Sequence, residues 1–132
     1  QADVPVWISH HKVAGVKNPR GIAKGAHHVD LHGSGTDQVR IPVREGRSYD
    51  IPFGCLLPRA LSNLLVAGRC LSSSREANGS ARVMGTCMAT GEAAGTAAAL
   101  CTRRNLDGVR SLDVAELRRV ILAAGAVLDG VD

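Results

Sequence analysis

The sequence predicts a mixed α/β chain, strand-rich in its first half and helical in its last third. Three observations lead there. His28 to His32 and Val39 to Val43 alternate polar and apolar residues, the period of half-buried strands. Asn63-Leu-Leu-Val-Ala67 is a short apolar run ending at Gly68, the pattern of a strand buried on both faces. From Thr86 to Cys101 nearly every residue is small or a good helix former.

The elements follow in chain order. Val4 to Ile8 reads as a short strand, with Pro5 suiting an edge or a strand start. Val13 to Gly25 is rich in Gly, Lys and Pro and reads as loop. After the strand at His28–His32, Gly33-Ser34-Gly35 turns the chain. Val39, Ile41 and Val43 then share one face of a second strand, with Arg40 and Arg44 on the other. Tyr49 to Phe53 is a short extended segment, and Leu56-Leu57-Pro58 leads to a turn. Beyond the apolar run, Arg69, Arg75 and Arg82 fall in a loop. Thr86 is the expected N-cap of the long helix. Gly91 and Gly95 lie four apart on one face and cost about 2 kcal/mol against alanine, so close packing is expected there. Asp113 and Glu116 form the capping box of a second helix. Val114, Leu117, Val120 and Ile121 make its apolar stripe, and Gly125 its stop.

Composition narrows the function classes. With 132 residues the chain is at most one domain, and 45% apolar against 21% charged residues excludes disorder. The only aromatics are Trp7, Tyr49 and Phe53, so the core must come from Val, Leu, Ile and Ala. Such a chain is poorly provisioned to fold alone and reads as part of something larger. The net charge of +4 is spread over scattered arginines with acids between them, which argues against nucleic acid. No run approaches the ~20 apolar residues of a membrane span, and no charged-then-apolar leader pattern opens the chain. Cys55, Cys70, Cys87 and Cys101 have long irregular gaps, against a zinc site or a redox pair. Reduced thiols in a cytoplasmic protein are expected. Asn78-Gly79-Ser80 matches a glycosylation sequon, a triplet common by chance.

Candidate chemistry is sparse. On a strand, His28 and His32 share a face but lie about 13 Å apart, which disfavours a metal; a single histidine serving as acid or base is the better reading. No P-loop, Gly-x-Ser-x-Gly elbow or Gly-x-Gly-x-x-Gly fingerprint exists, so the usual device for a dinucleotide pyrophosphate is missing. The run into the long helix is more informative. Amides at a helix start stabilise negative charge, and Gly85 and Thr86 let a ligand approach, so an anionic or electron-rich ligand fits residues 84–88. An ordinary strand–helix packing unit reads the same way. Arg69, Arg75 and Arg82 suit a carboxylate or phosphate substrate, or else are solvated surface arginines.

Longer blocks carry a resemblance. Asn63-Leu-Leu-Val-Ala-Gly-Arg-Cys70 and Ser80-Ala-Arg-Val-Met-Gly-Thr-Cys-Met-Ala-Thr-Gly-Glu-Ala-Ala-Gly-Thr-Ala-Ala-Ala-Leu100 closely resemble the C-terminal end of FAD-dependent oxidoreductases. Ile22 to His32 and Tyr49 to Pro58 are similar to two upstream segments of the same group. The likeness covers about residues 20 to 126. It implies the C-terminal portion of a Rossmann-like FAD-binding fold, with Asn63–Ala67 as its last strand. Residues 1–58 would be part of a substrate-facing β region, and 59–132 the strand–helix end of the FAD-binding domain plus the terminal helix.

The same resemblance implies site residues. Gly68 and Arg69 would lie near the ribityl or pyrophosphate part of FAD. Met84, Gly85, Thr86 and Cys87, at the helix start, would face the flavin pyrimidine edge. Arg82 would sit beside the ring, with Asp30 and His32 near the active site, for hydride transfer from a small organic substrate. This sequence departs from the family pattern at Phe53-Gly54, Arg75, Gly85 and Glu92. The Gly-rich half that grips FAD would be a required partner, in cis or in trans, and a homo-oligomer is compatible. The competing expectation is a non-catalytic α/β module that binds itself or a partner.

Overall fold

In a computed structural model of the chain, residues 18–33, 38–43 and 47–128 are described. The strand expected at Val4–Ile8 lies outside them, as do His10, His11, Ser34, Gly35 and Arg44. Four short strands form two antiparallel pairs. Strand β1 (Gly21–Gly25) pairs with β4 (Tyr49–Pro52), and β2 (Val29–His32) pairs with β3 (Gln38–Ile41). Three helices follow: α1 (Arg75–Ala81), α2 (Met84–Arg104) and α3 (Val114–Ala123). Helix α1 packs on β2, whereas α2 and α3 pack on β1 and on each other.

Strand β1 corrects the loop reading of residues 21–25. The glycines there mark close approach, not a turn. A Cβ on Gly25 would lie 2.2 Å from Tyr49 Cζ, and one on Gly21 would lie 2.8 Å from Asp50 Cβ. Between them Ile22 and Ala23 are buried. Lys24 bonds Asp50 at 2.9 Å across the pair, with both side chains about nine-tenths buried (10% and 8% exposed), and the Asn18 amide donates to the other Asp50 oxygen at 2.6 Å.

Arg75–Ala81 is also a correction: it is helix, not loop. Ser74 caps it by accepting from the Ala77 amide, and Arg82 closes it as the C-cap. Asn78 and Gly79 hide the helix from a propensity reading. Gly79 is needed because a Cβ there would lie 2.8 Å from the Asp30 carbonyl oxygen. Ser80 is buried and bonded to Tyr49 Oη at 2.8 Å, so the sequon is part of the packing.

Helix α2 starts three residues earlier than expected. Its N-cap is Val83, with no side-chain cap, and Thr86 lies inside the first turn. The buried stripe is Thr86, Thr90, Ala93, Ala97 and Leu100, at three- and four-residue spacing. Thr90 fits this interior because its hydroxyl donates to the Thr86 carbonyl at 3.0 Å. Gly91 and Gly95 fall on the opposite, exposed face, where an added Cβ meets nothing within 4 Å. The close packing expected against them is therefore absent among the described residues. Gly91→Ala and Gly95→Ala should each stabilise this chain by roughly 1 kcal/mol, read as a higher urea midpoint. Left-handed Asn105 ends α2, with Leu106 N–H bonded to Cys101 O.

Helix α3 lies where the sequence predicts it. Asp113 caps it through the Ala115 amide, and Val114, Leu117 and Ile121 are buried. Gly125, at φ +97°, follows the last turn, with Ala126 N–H bonded to Ile121 O. Glu116 does not complete a capping box; it pairs with Arg104 of α2.

Asn63–Ala67 belongs to neither strand pair. Its sequence has strand character, but a strand needs a neighbour to exchange ladder bonds with. The Val66 amide bonds Leu56 O, and Leu64 stays exposed. Among the described residues no helix is long and apolar enough to cross a membrane. Cys55 and Cys101 are buried, Cys87 is half-buried and Cys70 is exposed.

Candidate active site

Two groups of residues meet at Arg82. The first surrounds the start of α2. Gly68 occupies the left-handed region at φ +61° and opens the one-turn segment Gly68–Cys70. Its amide donates to Thr90 Oγ1 at 3.0 Å, and its Cα side faces Cys87, since an added Cβ would lie 3.5 Å from Cys87 Sγ. Arg69 Nε and Cys87 Sγ both donate to the Arg82 carbonyl, at 3.5 and 3.4 Å. Gly68, Arg69 and Cys87 are thus drawn together, and the helix start carries Met84, Gly85 and Thr86 with them.

The electrostatics of that start follow from its cap. With no side chain on the first amides, a 21-residue helix presents orphan N–H donors and the positive end of its dipole. Gly85 adds no bulk, and a Cβ there would meet nothing within 4 Å. Met84 is 78% and Met88 69% exposed, one turn apart, an apolar surface beside polar donors. A planar, electron-rich group fits such a surface.

The second group is an open cleft of about 170 Å³ lined by Asp30, Leu31, His32, Arg75, Asn78, Gly79 and Arg82. Strand β2 contributes Asp30, Leu31 and His32, and α1 with its C-cap Arg82 contributes the rest. Residues 75, 79 and 82 recur at helical spacing, so the α1 face that holds Gly79 against β2 also aims both arginines there. Arg82 Nη2 donates to the Asp30 carbonyl at 3.2 Å and stands 4.0 Å from Oδ2. His32 Nε2 lies 3.4 Å from the same Oδ2. All three residues expected at the active site therefore share one cleft.

Gln38 was missed by sequence reasoning. It lies across from His32 in the β2–β3 register and donates to Asp30 Oδ1 at 2.9 Å. Partial burial pushes the Asp30 carboxyl upward. The Gln38 bond, with the charges of His32, Arg40 and His28, outweighs it and leaves the group below the usual carboxylate range. Any stability from this cluster is present above the unfolded Asp pKa and fades as pH falls through the lowered folded value. Carboxyl NMR of Asp30 should show that lowered midpoint, and Gln38→Ala should move it upward. An unchanged midpoint in the variant would assign the shift to the cations alone.

Thr90 was also missed, because a buried threonine in a helix reads as packing. Of the three arginines expected to suit an anion or else to be solvated, Arg75, a departure from the family pattern, and Arg82 line the cleft, and Arg69 does not. His28 precedes β2, with its ring stacked on His27 at 4.0 Å, and does not line the cleft. Among the described residues no group of His, Cys, Asp or Glu could hold a metal ion. A larger cavity, about 580 Å³, lies elsewhere, between Arg20 and the start of α3, away from this chemistry.

The geometry thus sets an uncapped helix start beside a polar cleft. The chain belongs to the FAD dependent oxidoreductase family, whose model matches residues 5–121, and the cofactor of that family is FAD. No curated protein and no solved structure matched the chain.

Proposed function

We propose that the chain is the C-terminal part of a FAD-dependent oxidoreductase, supplying the pyrimidine side of the flavin site and part of the substrate pocket. The observation that carries this reading is the uncapped start of α2, with Gly85 open and the Gly68 turn beside it. Met84, Gly85 and Thr86 would hold the flavin edge through backbone amides, with Cys87, whose amide is bonded to the Val83 carbonyl, Gly68 and Arg69 flanking. FAD, when bound, supplies the two-electron acceptor for oxidation of a small organic substrate.

The chain's own residues handle the substrate and its proton. Asp30 orients the His32 imidazole through Nε2, leaving Nδ1 as the ring atom that takes a proton from the substrate. Arg82 ties the two halves of the site, holding Asp30 by its side chain and the flavin-side loop by its carbonyl. In the whole enzyme, residues 1–58 belong to the substrate-facing β region. Residues 59–132 complete a Rossmann-like FAD-binding domain, with Asn63–Ala67 as its last strand. The unpaired state of that segment and the exposed Met84 and Met88 support this reading.

The partner this requires is the N-terminal half that grips the FAD pyrophosphate, in the same chain or another. Intact mass and flavin content of the protein from its source test this together. Flavin in a longer chain, or in a complex with a second subunit, is the expected result. Stoichiometric, tight FAD binding by the 132 residues alone would contradict the need for a partner. A stable flavin-free oligomer would favour the self-associating module instead.

A further inference from the structure

We propose that the cleft between β2 and α1 is a carboxylate subsite, so that the substrate of the enzyme is a small monocarboxylate. This names the substrate class and rests on the oxidoreductase reading above. The argument begins with charge. Asp30 carries one negative charge, and Arg75 and Arg82 carry two positive ones, so these three side chains leave the cleft one excess positive charge. A ligand with a single negative charge balances it.

The guanidinium groups are not equally engaged. Arg82 is held by Asp30, through the carbonyl at 3.2 Å and the carboxylate at 4.0 Å. Asp30 in turn is occupied by Gln38 and His32. Arg75 has no hydrogen bond or ion pair among the described residues and is exposed at the cleft rim. A planar guanidinium with its donors unspent is the group best matched to a carboxylate, which it can bind through two parallel hydrogen bonds. Asn78, on the same helix, lines the cleft with its amide committed to Ser73 Oγ at 3.3 Å. Arg75 is therefore the primary anion contact and Arg82 the second.

Position adds to this. An anion held by Arg75 lies in the same small cleft as His32, the proposed proton acceptor. The carboxylate would anchor the substrate and leave its neighbouring carbon near the imidazole. A dianionic phosphate would overcompensate the single excess charge and meet the Asp30 carboxylate.

The test is an NMR titration of the purified protein, following the His32 ring and the arginine Nε–Hε signals. The probes are acetate, acetamide and inorganic phosphate. Acetate should move the Arg75 and His32 signals saturably, and neutral acetamide should not. Arg75→Gln should weaken acetate binding by about tenfold or more, Arg75→Lys should recover part of it, and Arg103→Gln, at the exposed end of α2, should leave it unchanged. Equal responses to acetate and acetamide would overturn the proposal. So would an Arg75→Gln variant that binds acetate like the parent, or preference for phosphate. Flavin content of the native protein is read separately. Flavin without acetate binding sinks this inference alone, and acetate binding without flavin sinks the oxidoreductase reading alone.

Discussion

Asp50→Ala is expected to remove about 3–5 kcal/mol of folding stability, enough to lower the melting temperature by more than roughly 10 °C. The reason is what remains behind. Asp50 sits between the Lys24 ammonium at 2.9 Å and the Asn18 amide at 2.6 Å, in a place where little water reaches. Removing the carboxylate leaves a buried cation with no partner and an orphan N–H. The ion pair itself need not be favourable, since desolvating two charges cancels most of their attraction. The double variant Lys24→Met with Asp50→Leu should therefore recover most of the loss. Thermal melts of the three proteins decide the matter. A small loss in Asp50→Ala would mean that water solvates the pair after all.

Gly25→Ala is the second large effect, with an expected loss of about 1–3 kcal/mol. The new methyl would lie 2.2 Å from Tyr49 Cζ and 2.3 Å from its oxygen. The ring cannot retreat freely. It is fully buried, and its hydroxyl is bonded to Ser80 of α1, which also donates to the His27 carbonyl. Displacing the ring loosens α1 from the sheet, and α1 carries Arg75 and Arg82. Combining Gly25→Ala with Tyr49→Val should cost less than the sum of the single changes, because the same space is freed once. Strict additivity in urea unfolding would show that the ring is not the obstacle.

These two sites show where the sequence was readable. Strands β2 and β4 and helices α2 and α3 follow from period, helix-forming composition, the Asp113 cap and the α3 apolar stripe, all of which act within a few neighbours. Strand β1 was not legible because Gly21 and Gly25 serve the opposite strand; their signal is the bulk of Asp50 and Tyr49, some 25 to 30 residues away. Helix α1 was hidden by Gly79, whose purpose is contact with Asp30. Asn63–Ala67 has a strand's composition, but composition cannot supply the neighbouring strand. The site divides the same way. Asp30, His32 and Arg82 were reached through resemblance to a family. Gln38 depends on cross-strand register, and the rim position of Arg75 on a helix that propensity rejects.

The buried Tyr49 has a practical consequence. It is the chain's one tyrosine, so its optical signals belong to a single place. Burial pushes its phenol above the ordinary value near 10, with the Ser80 bond acting in the other direction. Because the folded value is the higher one, its contribution to stability is complete below the unfolded pKa and disappears as pH rises through the folded value. In alkaline solution the phenolate band should thus appear at higher pH while helix α1 is seated on the sheet than after it leaves. The protein carries its own dye at the joint between its strand pair and the helix that bears both cleft arginines, and a spectrophotometer can follow that joint opening without any label.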